Sequence, residues 1–219
     1  MPTMKKQYSI DRTCSEEELT CFDRLFNSIP IDPYLKARFR YKSISRVNVN
    51  GVDVNRNSYE PLLILHGKKY TAVKELDVRH YPEIPLNYHN ELLNEIINKF
   101  MDICGISKEK EVLVQAHRIT SSGSQESFPV VEGPHQDGME YVGIMCISRH
   151  NIEGGISQVL TDRENVVFEH ILEPGEMLTI DDSEYFHYTT PTKCKNDNEF
   201  GYRDILIFST PSARPSEHV

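Results

Sequence analysis

The sequence predicts a mainly β protein with flanking helices, built as a sandwich or jelly roll, and three features predict it. Apolar residues at helical spacing are confined to the N-terminal half. From Glu111 onward the pattern changes to short β-branched and aromatic runs, evenly separated by Gly, Pro and Asn. Two groups of chemically potent residues, around His135 and around His187, lie far apart in the chain, and a jelly roll offers a concave mouth where such segments converge. With 219 residues the chain can bury a real core as a single domain over 1–219, with 1–110 as a helical and mixed support and 111–210 as the β core.

The elements follow in order. Ser15-Glu16-Glu17-Glu18 is a capping box: the Ser oxygen and the Glu carboxylate satisfy amides that a helix start leaves without partners. Leu19, Phe22, Phe26 and Ile29 then recur on one face, and Pro30 closes the segment. Asp32-Pro33 repeats the start signal and predicts a short helix through about Phe39. Residues 41–49 and 59–66 predict strands, joined through a turn-rich stretch from Asn50-Gly51 to Asn57. The strongest helix runs from about Asn87 to Cys104, with Leu92, Leu93, Ile96, Ile97 and Phe100 on its apolar face and Gly105 at its end. Strands are then predicted at 111–119, 141–147, 156–160, 165–171, 176–180, 185–190 and 202–209. The polar segment Thr120 to Ser127 is either a lid over the mouth or a plain surface loop.

Composition narrows the classes of function. The formal charge of −9 disfavours nucleic acid as a partner, because phosphate binding needs a basic stripe. No stretch has the length and apolarity of a membrane span, and the N-terminus lacks a secretory apolar region. The five cysteines have neither disulfide-framework nor zinc-site spacing, so they are expected to be reduced and the protein cytoplasmic.

The segment Gly133-Pro134-His135-Gln136-Asp137-Gly138 carries the chemistry. Along a strand, positions i and i+2 share a face, so His135 and Asp137 can grip one ion from one sheet edge. A His-x-Asp tripeptide is weak evidence in isolation, since nine histidines make chance occurrences ordinary. The flanking glycines and proline make the backbone there bent and small, as a site approached by several ligands requires. His187, among Tyr185, Phe186 and Tyr188, offers a third ligand, and Asp181, Asp182 and Glu184 either join it or solvate a turn. Two imidazoles and a carboxylate form a facial triad, which leaves three octahedral positions on ferrous iron open. On the apolar strand Tyr202–Phe208, Arg203 shares a face with Ile205 and Ile207. A guanidinium so placed needs a carboxylate, either an internal acid such as Asp204 or the far end of a bound dicarboxylate. Arg118 sits in the same way on the strand 111–119, beside Val112, Val114 and Ala116; it either receives a substrate carboxylate or pairs with a core acid. Glu132 could receive a substrate ammonium. His117, on the face opposite Arg118, His150 and His170 are expected to be structural or surface histidines.

Together, His135, Asp137, His187 and Arg203 resemble the His-x-Asp…His…Arg signature of Fe(II)/2-oxoglutarate-dependent dioxygenases. More narrowly, residues 132–138, Asn151-Ile152-Glu153-Gly154-Gly155 and Gly201-Tyr202-Arg203-Asp204 resemble bacterial free L-amino-acid hydroxylases such as L-isoleucine 4-hydroxylase. The resemblance covers about residues 110–210 and implies a double-stranded β-helix, cupin-like core with Fe(II), 2-oxoglutarate and O₂. It implies metal ligation by His135, Asp137 and His187, pairing of Arg203 with the far carboxylate of 2-oxoglutarate, and hydroxylation of a free aliphatic amino acid with release of succinate and CO₂. Retention of Asp137 favours hydroxylation over halogenation, whose enzymes lose that carboxylate. Many relatives carry Ser or Thr two residues after the arginine; here Ile205 stands there, so a second anchor is expected from elsewhere, such as a tyrosine or threonine. The alternatives are a non-catalytic jelly-roll binding module, a cupin-type metal enzyme that does not use 2-oxoglutarate, and a protein hydroxylase with the same core.

Overall fold

The computed structural model describes residues 8–65, 76–88, 90–107 and 109–210. Its centre is a seven-stranded sheet in the order β1-β11-β7-β14-β6-β2-β3, faced by a smaller sheet in the order β10-β9-β12. The large sheet comprises β1 (Tyr8–Arg12), β2 (Arg40–Asn50), β3 (Asp53–Arg56), β6 (Glu111–Ser121), β7 (Tyr141–His150), β11 (Glu176–Asp181) and β14 (Gly201–Thr210). The small one comprises β9 (Ser157–Leu160), β10 (Val166–His170) and β12 (Phe186–Thr189). Two short pairs complete the β structure: β4 (Leu62–Leu65) with β5 (Leu76–Arg79), and β8 (Ile152–Gly154) with β13 (Thr192–Cys194). The strand pairings are antiparallel throughout. The chain passes from the large sheet to the small one after β7, returns for β11, crosses again for β12 and ends in the large sheet at β14, the two-sheet arrangement of a jelly-roll core.

The two faces of the large sheet have different work. Val112, Val114, Ala116, Met145, Leu206 and Phe208 pack outward against α1 (Glu16–Leu19), α2 (Asp23–Ser28) and α3 (Glu91–Cys104). Val142, Ile144, Cys146, Leu178, Ile180 and Ile205 point inward toward Val159 of the small sheet. Period-two alternation in long antiparallel strands sorts the side chains in this way. The capping box forms as predicted, with Ser15 N donating to Glu18 Oε2 at 2.8 Å. Asn90 caps α3 by accepting from Leu93 N at 2.9 Å, and Gly105 ends it at φ 64°. Phe100 is fully buried and stacks on Phe208. It approaches β7 so closely that a Cβ on Gly143 would lie 2.8 Å from its ring, so glycine at 143 lets the helix seat on the sheet.

Several expectations change. The short helix from Asp32 does not form. Asp32 instead accepts from Tyr34 N at 2.9 Å and from Arg40 Nε at 2.8 Å, while Ile31 bridges Tyr41. An acidic side chain that can bond its own turn and a nearby arginine competes with its role as a helix cap. The turn at Asn50-Gly51 is present, with Gly51 at φ 64°, but it opens directly into strand β3 in place of a long loop. Strand 59–66 is seen as β4; residue 66 lies outside the described residues. The short strands β1, β5, β8 and β13 were not predicted, being too brief or too polar for periodicity to register. The loop after Thr120 is tied down: Ser127 Oγ donates to Thr120 O, and Ser127 and Thr192 exchange backbone hydrogen bonds. Among the described residues no helix is long and apolar enough to cross a membrane.

Candidate active site

The two histidines meet through their backbones. His135 N donates to His187 O at 3.1 Å and His187 N to His135 O at 2.9 Å, an antiparallel bridge that clips the 133–138 loop to β12. Their rings lie 4.4 Å apart. Asp137 completes the group, with Oδ1 3.4 Å from His135 Nε2 and Oδ2 3.8 Å from His187 Nε2. One ligand atom from each residue falls within 4.8 Å of the others, the spread that a single ion can bridge. His135 Nδ1 donates to Gly133 O at 3.0 Å, which leaves Nε2 with its lone pair toward the cluster. Gly138, at φ 77°, takes the left-handed turn that carries the chain away after Asp137.

Asp182, which the sequence leaves as either ligand or turn acid, is neither. It is buried and holds the loop, accepting from Asp137 N at 3.2 Å and from Met139 N at 2.9 Å. Its Oδ1 also faces His187 Nδ1 at 3.2 Å, off the line of a regular hydrogen bond. Asp182→Asn replaces one acceptor with a donor that confronts these amides. Metal affinity is expected to fall by about 10–100-fold, to be read by titrating Mn(II) into wild type and variant.

The electrostatics suit cation binding. Packed surroundings alone would push the Asp137 carboxyl up, but the hydrogen bond from His135 and the charges of His187, His135 and Lys42 bring it down to about 2. Burial works against charge on His135, yet the Asp137 hydrogen bond and charge raise its pKa overall. Glu132 lies three residues before His135, exposed on the loop, and its charge adds to that rise.

Arg203 on β14 is fully buried and faces Ser157, which pairs with Thr189 on the strand that carries His187. Among the described residues no acid meets it: Nε and Nη1 have no hydrogen-bond partner, and Nη2 reaches only Ser157 Oγ, at 3.5 Å. Burial pulls its pKa down to about 10, with Cys146 and Arg149 as smaller influences of opposite sign. Arg149 is its cross-strand neighbour on β7, turned to the same face by a bulge opposite Asp204/Ile205. Arg149 Nη2 donates to Gly154 O at 2.8 Å, while Nη1 is buried without a partner. A Cβ on Gly155 would come within 3.4 Å of both arginines, so that glycine keeps the space beside them open. Two neighbouring guanidiniums with free N–H groups form a receptor for an anion. Among the described residues, the hydroxyl that Arg203 reaches belongs to Ser157 on the opposite sheet, not to a tyrosine or threonine.

Arg118 is elsewhere. It projects to the helix-packed face, where Nε and Nη2 donate to Asp204 Oδ1 and Oδ2 at 2.6 and 2.7 Å and Nη1 donates to Asn27 Oδ1 at 2.7 Å. Its ring neighbour is Tyr202, 4.3 Å from the guanidinium. The apolar residues that share its face are those buried under the helices, so the expectation that Arg118 receives a substrate carboxylate is corrected: it is an internal ion pair. Arg118→Met would leave Asp204 buried with Ser148 as its remaining side-chain donor. The expected cost is about 3 kcal/mol of stability in denaturant titration, with 2-oxoglutarate binding unchanged.

His117, expected to be a structural or surface histidine, is buried. It pairs with Ile205 and Lys42 across the sheet, so it points inward, buried, and its Nε2 has no hydrogen-bond partner. Lys42, its partner across the sheet, is buried as well. A lysine between Tyr41 and Ser43 reads as the wet face of a strand, and only the register of β2 on β6 turns it inward.

A jelly roll that gathers two imidazoles and a carboxylate at its mouth, with unpaired buried arginine behind them, has the architecture of mononuclear non-haem iron oxygenases. Residues 23–209 match the family described as 2OG-Fe dioxygenase, and the chain belongs to that family. Its cofactor is therefore Fe(II), with 2-oxoglutarate and O₂ as co-substrates. The donor set and the orphaned Arg203 nitrogens fit both groups.

No curated protein matches the sequence. Among solved structures, a bsmA homolog from Methylobium petroleophilum PM1 is similar with TM-score 0.74 and 19% identity, over 93% of this chain and 87% of that one. IDO from Bacillus thuringiensis gives 0.68 and 17%, over 93% and 92%. The Fe(II)/α-ketoglutarate-dependent dioxygenase TqaL gives 0.64 and 14%, over 93% and 82%. At these identities the likeness speaks for the fold.

Proposed function

We propose that this protein hydroxylates an unactivated carbon of a free aliphatic L-amino acid, with release of succinate and CO₂. Arg203 carries this reading: a fully buried guanidinium with no acid partner among the described residues, whose contact Ser157 pairs with the strand that holds His187. The substrate class is supported by the resemblance of residues 132–138, 151–155 and 201–204 to amino-acid hydroxylases.

In this function His135, Asp137 and His187 hold Fe(II) through Nε2, a carboxylate oxygen and Nε2. Arg203 pairs with the far carboxylate of 2-oxoglutarate, and Ser157 supplies the hydroxyl that Ile205 cannot. Arg149 lends a further N–H and a second positive charge. Asp182 and Gly133 O keep the ligands oriented, so little reorganisation accompanies binding. Glu132, exposed at the rim, takes the substrate ammonium. Iron and 2-oxoglutarate, when bound, supply the oxidising power for oxygen insertion, and the protein supplies position and a dry enclosure. The five cysteines stand free, in keeping with a cytoplasmic location.

The test is a screen of the purified Fe(II)-loaded protein against the free amino acids, reading succinate release and a mass gain of one oxygen atom. At least one aliphatic amino acid should stimulate succinate release and emerge hydroxylated. If 2-oxoglutarate turns over at the same slow rate with every amino acid, the substrate assignment is wrong.

A further inference from the structure

Lys42 on β2 is buried, 6% exposed, and faces the interior of the jelly roll in register with His117 on β6. Its ammonium lies over the ring of Tyr81, 4.4 Å from the centroid. Among the described residues no carboxylate or carbonyl accepts a hydrogen bond from it. His117, 9% exposed, presents an unpartnered Nε2 from the same face. Directly opposed side chains on antiparallel strands have their Cβ atoms about 5 Å apart, so the two polar groups can converge on one small ligand.

The charges around Lys42 leave it short of a counter-ion. Burial, with Arg40 and Arg79 nearby, pulls the Lys42 pKa down to about 7, and Asp32 and Asp137 are the acids that oppose this. Asp32 is engaged by Arg40 at 2.8 Å, and Asp137 belongs to the proposed iron site. With a divalent ion on Asp137, that carboxylate would no longer offset the ammonium, and an anion beside Lys42 would hold it in its charged form. 2-Oxoglutarate does not supply it. One of its carboxylates goes to Arg203 and the other to the metal, while Lys42 lies two strands from β14, roughly 10 Å across the sheet at the usual strand spacing.

We propose that Lys42 and His117 form the subsite for the carboxylate of the oxidised substrate, which makes this enzyme specific for a small carboxylic acid over its neutral counterparts. The proposal rests on the oxygenase function above and deepens it by assigning the substrate's anionic end. Lys42 supplies the charge, His117 a second hydrogen bond, and the Tyr81 ring fixes the ammonium from its far side. Arg118, the residue first expected in this role, is already occupied by Asp204.

The experiment is calorimetric titration of the Mn(II)- and 2-oxoglutarate-loaded protein without oxygen. The probes are L-leucine, L-isoleucine and L-methionine, their carboxamides, and the des-amino acids 4-methylpentanoate and 3-methylpentanoate. At least one acid should bind about 30-fold more tightly than its amide. Lys42→Met should erase that preference by weakening the acid and leaving the amide unchanged, and Lys42→Arg should restore part of it. Thermal unfolding and 2-oxoglutarate affinity of both variants establish that they are folded. Amides that bind as well as acids, a Lys42→Met variant that loses 2-oxoglutarate in place of the acid, or a series in which no acid binds would each overturn the proposal. Binding of des-amino acids without amino acids would instead refute the amino-acid function and leave the carboxylate subsite standing.

Discussion

Replacing Asp137 or either of His135 and His187 with alanine is expected to abolish the Fe(II)-dependent conversion of 2-oxoglutarate to succinate. The loss should exceed about 10³-fold, well beyond the roughly 10–100-fold cost of removing a supporting partner. The reason lies in the size of the cluster: with three donor atoms within 4.8 Å among the described residues, removal of one leaves a two-coordinate protein site. Asp137→Ala removes the carboxylate ligand of the cluster as well. The measurement is succinate formation with saturating Fe(II), alongside metal content after desalting. Wild-type turnover in any of the three variants would mean that the iron is held somewhere else. A retained fold is expected, because none of the three side chains is part of the apolar core.

Arg203→Met is expected to have two effects of opposite sign. The concentration of 2-oxoglutarate needed for half-maximal turnover should rise by about 100-fold, since a charge-assisted fork to a carboxylate is lost in a dry setting. The ligand-free protein should at the same time become more stable by about 1–2 kcal/mol, because a buried guanidinium without a counter-ion is replaced by an apolar chain of similar volume. Thermal unfolding with and without 2-oxoglutarate reads both. Wild type should show a large upward shift on adding the ligand, and the variant a higher starting point with almost no shift. A metal enzyme of the same fold that does not use 2-oxoglutarate would show the first change in neither assay.

The legible and illegible parts of the sequence divide on physical grounds. His135, Asp137, His187 and Arg203 could be picked out because their residue types are costly unless used, and because glycines and β-branched neighbours disclose the backbone around them. The helix ending at Gly105 was visible because its apolar stripe and its terminator agree, although it starts at Glu91 after the cap Asn90 and not near Asn87. Facing was harder. Arg118 and His117 are adjacent and therefore opposite, but which of them looks inward depends on whether Val112, Val114 and Ala116 cover the helices or line the cavity. Apolar residues do both in a sheet buried on two sides. Lys42, Ser157 and Arg149 belong to strands brought alongside by register and, for Arg149, by a bulge, and neither leaves a local trace. Asp32 shows the converse failure, where a sound capping signal lost to an ion pair with Arg40.

The backbone clip between His135 and His187, with Asp182 gripping two amides of the intervening loop, has a consequence for how the protein handles iron. The ligands are held by hydrogen bonds of the scaffold, so the ion is a guest in a finished socket and not a rivet that closes the fold. Stripping it with a chelator should silence the protein while circular dichroism and melting stay close to those of the loaded form, and re-addition of Fe(II) should restore activity at once without refolding. A collapse of the melting transition on chelation would show that the socket is instead made by its occupant.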